Sequence, residues 1–203
     1  MSDSSVGLPT SFDRFRAIWH VDFEFRQDDN HLPVPVAMFA KEHRTGVEIG
    51  PLDRDQLLQM RRAPFDTGPN ALLTSYSIVA ELSCFKVLGW PMPRHRLCLY
   101  FETAAAINGL DIDGLVDKRP TLLEACDLFA IQHMPKNHKA HARDIILNNV
   151  TYSDDQWREI ADYNRDDVLL STLLLEKLAP AIDVSAALFR GRYATAVVDM
   201  VAS

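Results

Sequence analysis

Residues 17–25, Ala-Ile-Trp-His-Val-Asp-Phe-Glu-Phe, alternate strictly, with Trp19, Val21, Phe23 and Phe25 on one side and His20, Asp22 and Glu24 on the other. A period of two fits a strand and no helix, so this segment commits the chain to a sheet with an apolar face. Two more strands are expected over 34–40 and 45–49, joined by a polar turn, which makes the opening a meander. Pro33 and Pro35 put the start of the second strand at an edge or a bulge. A short helix is predicted over 53–60, and residues 63–69, rich in Pro and Gly, read as a loop.

Further along, the pattern changes. Residues 71–76 read as a buried strand running into a helix over 78–88 that Gly89 ends, and 97–101 as another short strand. Thr121 with Glu124, and Ser153 with Gln156, have capping-box spacing and open amphipathic runs. The second run continues from 154 to about 178, where Pro180 stops it. A helical pair is expected over 182–200. Strands first, then alternation of strand and helix, then helices, indicate an α/β sheet covered by helices. Nothing marks a second domain, so the reading is a flexible N-terminal tail over 1–16 and a single domain over 17–203.

Composition narrows the function. The chain has 203 residues, 47% of them hydrophobic, enough for a full core. No apolar run approaches the roughly 20 residues that span a bilayer, and the polar N-terminus lacks the order of a secretory signal. Three cysteines, Cys84, Cys98 and Cys126, give neither a paired framework nor a C-x-x-C zinc motif, which points to a reducing, cytoplasmic setting. The net charge of −7 provides no global basic field. Any contact with nucleic acid must therefore be local.

Three groups of residues carry chemistry. Asp22 and Glu24 share one face of a strand, and two hard oxygen anions side by side suit a hard divalent cation. Alone, D-x-E on a strand is usually a solvated strip, but a strand this aromatic is central, where unpaired carboxylates are costly. Tyr163 and Asp167 lie four apart in the long C-terminal helix, which puts hydroxyl and carboxylate on one face. Glu81 sits one turn into the helix after the buried strand, a position the macrodipole also favours without any function. Residues 133–143 hold three histidines, two lysines and one arginine with no acid. Lys136, Lys139 and Arg143 could grip a phosphate backbone there, or solvate a helix start. A zinc site on His133, His138 and His141 lacks a cysteine partner and is not expected.

In this order, D-x-E on the first strand, an acidic residue after a middle strand and Y-x-x-x-D on a late helix resemble the DnaQ-like 3′→5′ exonucleases of the DEDDy type. The narrower resemblance is to the proofreading exonuclease domain of a bacterial and phage group of family A DNA polymerases. It is carried by residues 21–26, 80–93, 108–109, 162–168 and 188–193. Two positions depart from the wider pattern, Glu81 where Asp is usual and Cys98 where relatives tend to carry Asp.

The resemblance implies a ribonuclease H-like mixed sheet, an antiparallel meander plus parallel strands, covered by helices. It makes Asp22 and Glu24 the first motif, Glu81 the second, and Tyr163 with Asp167 the third. The four carboxylates would hold two Mg²⁺ or Mn²⁺ ions, and Tyr163 would orient the attacking water. The implied substrate is single-stranded DNA or a DNA 3′ end, in proofreading or repair. A polymerase module or subunit would be a partner, and a membrane would not. Two other readings compete: an RNA-trimming enzyme of the same superfamily, and a non-catalytic exonuclease fold that docks a polymerase.

Overall fold

The computed structural model describes residues 7–27, 32–110, 120–134 and 136–201, without the side chains of 136–140 and 201. Five strands form one sheet: β1 (Ala17–Gln27), β2 (Pro33–Glu42), β3 (Glu48–Asp53), β4 (Ala71–Ser75) and β5 (His95–Cys98). Their order is β3-β2-β1-β4-β5. The first three run antiparallel, whereas β4 lies parallel to β1 and β5 parallel to β4. This is the ribonuclease H-like mixed sheet that the family resemblance implies.

β1 is the central strand, as its aromatic content suggested, and the side that alternation reads as polar is covered as well. Both its sides are covered. Ile18 belongs to a core with Phe12, Phe15, Leu72, Leu97 and Leu174, while Trp19, Val21 and Phe23 pack with Leu73, Leu82, Phe85 and Trp90 on the opposite side. Its polar residues therefore face protein. Phe12 and Phe15, within the segment expected as a flexible tail, are core residues with 0% and 1% exposure.

Among the described residues, seven helices flank the sheet: α1 (Arg54–Gln59), α2 (Ile78–Val87), α3 (Leu99–Ala106), α4 (Leu122–Leu128), α5 (Lys136–Asn148), α6 (Asp154–Leu178) and α7 (Val184–Val201). The boundaries follow local chemistry. Both expected capping boxes form, Thr121 with Glu124 at α4 and Ser153 with Gln156 at α6, and Asp53 with Gln56 adds a third at α1. Gly89 ends the turn after α2 at φ +67°, in the left-handed region. Two further expectations fail. Leu99 to Phe101 are helical, because β5 is over by Cys98 and Leu99 opens α3. The expected terminal helical pair is one continuous helix, α7, preceded by a 3-10 turn at Ala179–Ala181.

Glu42 anchors the β2–β3 turn. Its carboxylate accepts the backbone N–H groups of Ile18 at 2.9 Å, Arg44 at 2.9 Å and Thr45 at 2.7 Å, and the Thr45 hydroxyl at 2.7 Å. Burial pushes its pKa up, but these donors outweigh it and hold the carboxyl below its usual range.

Candidate active site

The site lies where the sheet changes from antiparallel to parallel. β4 pairs with β1 only from Ala17 to His20, so the second half of β1 has no parallel neighbour. Asp22 and Glu24 fall in that half, still paired to β2 opposite Phe39 and Ala37. The register slips between Glu24 and Phe25, which is the bulge that Pro35 signalled. Side chains at the end of β1 are thereby aimed at the helix that crosses them, α6.

The buried stripe of α6 explains the rest. Ile160, Asn164, Asp167, Ser171, Leu174 and Leu178 recur at spacings of four and three, and the three in the middle are polar. Apolar packing is interrupted where the helix passes Asp22 and Glu24. One carboxylate oxygen from each of Asp22, Glu24 and Asp167 can be chosen so that all lie within 4.8 Å of one another. Three carboxylates this close repel unless a cation lies among them, and their donor atoms are all hard oxygens, so the set fits a divalent ion such as Mg²⁺ or Mn²⁺.

Glu81 stands behind this group. It is only 3% exposed, and its Oε2 accepts the Phe23 N–H at 2.9 Å, a sheet donor that β4 no longer reaches. Burial raises its pKa well above the carboxylate range; the charges of Asp22 and Asp167 raise it further, and the Phe23 N–H only partly opposes them. α2 thus delivers a carboxyl to the site while patching the sheet where β4 ends. Tyr163, one residue before Asn164, has its hydroxyl hydrogen-bonded to Asp167. Burial, then the charges of Glu24, Asp167 and Asp22, push its pKa far up, so the phenol keeps its proton and is no base at neutral pH.

Asn164 was missed in the sequence. Fully buried, it donates from Nδ2 to the backbone carbonyl of Asp22 at 3.1 Å and to Asp22 Oδ2 at 2.7 Å. Both acceptors fix the orientation of its amide, and the amide fixes the Asp22 carboxylate against α6. A visible signal existed: an Asn on the buried side of an amphipathic helix, among leucines and isoleucine.

A cavity of about 900 Å³ opens beside Tyr163 and Asp167. Leu123, Leu170 and Leu173 give it an apolar wall, and His133, His141 and Glu159 a polar rim. His133 Nε2 meets Asp127 at 2.8 Å, and His141 Nε2 meets Glu159 at 3.5 Å. Of the basic run, Arg143 is exposed on α5, and the side chains of Lys136, His138 and Lys139 lie outside the described residues. Phe23 packs against Phe85 and Trp90, and Tyr76 against Tyr100.

No family model matches the chain, and no curated protein matches it. Among solved structures it is similar to Brucella melitensis NrnC, at 15% identity and a TM-score of 0.45. It is also similar to a structure described as the apo form of the nuclease, at 15% identity and a TM-score of 0.48. Each match covers 94% of this chain and 84% of the other. Both similarities are distant, and the chemistry of the site is read from its own side chains.

Proposed function

We propose that the chain is a metal-dependent 3′→5′ exonuclease that hydrolyses phosphodiester bonds at DNA 3′ ends. The observation that carries this reading is the convergence of Asp22, Glu24 and Asp167 within 4.8 Å, with the Tyr163 hydroxyl bonded to Asp167. Polymer and direction rest on the motif resemblance.

Hydrolysis adds water across the bond between phosphorus and the 3′ oxygen. The water oxygen bonds to phosphorus, and the 3′ oxygen leaves as the new hydroxyl end of the strand. Divalent ions, when bound, neutralise the charge that builds on the phosphate and the leaving oxygen and lower the pKa of water. Asp22, Glu24 and Asp167 would hold them, with Glu81 contributing from behind. Asn164 keeps the Asp22 carboxylate in place, so ligand geometry is set before substrate arrives. Tyr163, held protonated, orients the attacking water by hydrogen bond. The cavity beside Tyr163 and Asp167 has the size for a terminal nucleotide, with an apolar wall for the base.

Lys136, Lys139 and Arg143 would grip the backbone of the strand as it leaves the site. A Lys136→Ala, Lys139→Ala double variant should raise KM with kcat nearly unchanged, and lose more than about one unit of slope in log affinity against log salt. An unchanged slope would return the run to ordinary solvated surface.

The direct test is digestion of a 3′-labelled single strand and a mismatched primer, in DNA and RNA versions. Activity is expected in Mg²⁺ and Mn²⁺ and none in EDTA, with DNA degraded faster. Faster loss of RNA would move the substrate to RNA trimming. No release from any substrate would leave an exonuclease fold kept for docking.

A further inference from the structure

α7 is apolar on two opposite sides. Its inner side, including Ala187, Gly191, Ala194 and Val198, is buried. The packing there is close: a Cβ at Gly191 would fall 2.0 Å from the Arg96 carbonyl oxygen. On the outer side, Phe189, Tyr193 and Met200 are 66%, 61% and 67% exposed. With the exposed Ala196 they recur at intervals of four, three and four along the helix. That is the seam of a two-helix pair, and an exposed apolar seam marks a surface that another helix covers.

We propose that α7 docks antiparallel against α7 of a second copy of this chain. The flanking charges choose this occupant. Arg192 and Asp199 each immediately precede a seam residue, Tyr193 and Met200, and so border the seam on the same side. In an antiparallel pair with Tyr193 over the second copy's Ala196, Arg192 faces the second copy's Asp199, and symmetry repeats the contact. In a parallel pair Arg192 would flank Val197, and no ion pair forms across the seam. Both charges sit at the rim within one copy: the Arg192 guanidinium lies 5.6 Å over the Phe189 ring, and Asp199 accepts from Lys86 at 2.8 Å. α7 packs on α2, α3 and β5, whereas the carboxylate cluster lies on β1 and α6.

A helix of 18 residues is about 27 Å long, which places the contact at the small end of specific interfaces. The full chain should therefore be monomeric at about 1 µM and largely dimeric at about 200 µM. Sedimentation velocity across that range reads it directly. A Phe189→Glu, Tyr193→Glu variant with an unchanged circular dichroism spectrum is expected to stay monomeric throughout. Arg192→Asp and Asp199→Arg should each weaken association about tenfold, and the double swap should recover it. Because Asp199 also holds Lys86, recovery in the double swap is the decisive arm. A wild-type chain that stays monomeric at about 200 µM would overturn the proposal. So would association that survives the double glutamate change, or a double swap that does not recover. Binding of a single-stranded oligonucleotide by a monomeric wild type, lost in the glutamate variant, would assign the seam to nucleic acid instead.

Discussion

Glu42 and Glu81 are both buried glutamates near β1, at 5% and 3% exposure, and their surroundings are opposite. Glu42 has four donors within 2.9 Å, and its pKa is lowered. Glu81 receives the Phe23 N–H and faces the carboxylates of Asp22 and Asp167, and its pKa is raised. The first is a carboxylate the fold surrounds with three backbone N–H groups and one hydroxyl. The second is raised by burial and by the charges of two further carboxylates, Asp22 and Asp167. Two glutamates of similar burial thus differ in what surrounds them, donors for the one and other carboxylates for the other, which burial alone does not distinguish.

The largest effect that sharpens this contrast is on activity. Under the proposed activity, Asp22→Ala should abolish turnover, a loss of at least about 10³-fold, while leaving the fold intact, because a carboxylate shared by the whole site is gone. In EDTA its melting temperature should match or exceed that of the wild type, since repulsion is relieved. Wild-type-like digestion by purified Asp22→Ala protein would sink the site. Glu24→Ala and Asp167→Ala should behave alike.

Glu42→Gln should do the reverse, costing about 2–4 kcal/mol of stability with little change in kcat, because its new amide confronts donors that need acceptors. The pH dependence has a definite sign. A lowered pKa gives stability above the unfolded carboxylate value that is lost as pH falls through the folded one, so the cost should shrink below about pH 4. Denaturant titrations at several pH values check it.

Tyr163→Phe comes next, with a loss of about 10–100-fold in kcat and Mn²⁺ binding retained, since a water-orienting hydroxyl goes and no carboxylate does. Calorimetry showing lost Mn²⁺ binding would remove that role. The smallest effect is expected for Glu81→Gln. Its raised pKa means that stability present below the unfolded value is lost as pH rises through the folded one. In EDTA the variant should therefore gain roughly 2–4 °C in melting temperature over wild type at neutral pH, and the gain should fade on acidification. Added Mn²⁺ should stabilise the variant less than the wild type, and an equal shift in both would take Glu81 out of the metal site.

What the sequence alone determined was whatever depends on neighbours along the chain. Strict alternation made β1 a strand, the Thr121 and Ser153 boxes started α4 and α6, and helical periodicity placed Tyr163 one turn from Asp167. The order of the acidic motifs pointed to the mixed sheet. The tertiary structure decided what depends on neighbours in space. Alternation cannot say whether the polar side of β1 meets water or α6, because either leaves the same period of two, and only the tertiary structure set it against α6. Leu99 to Phe101 are apolar enough for strand or helix, and the end of β5 settled them as helix. Asn164 looked like one more polar helix residue until packing turned it inward onto Asp22 across 142 residues of chain. A contact that long in sequence has no local signature, since its energy comes from two elements meeting.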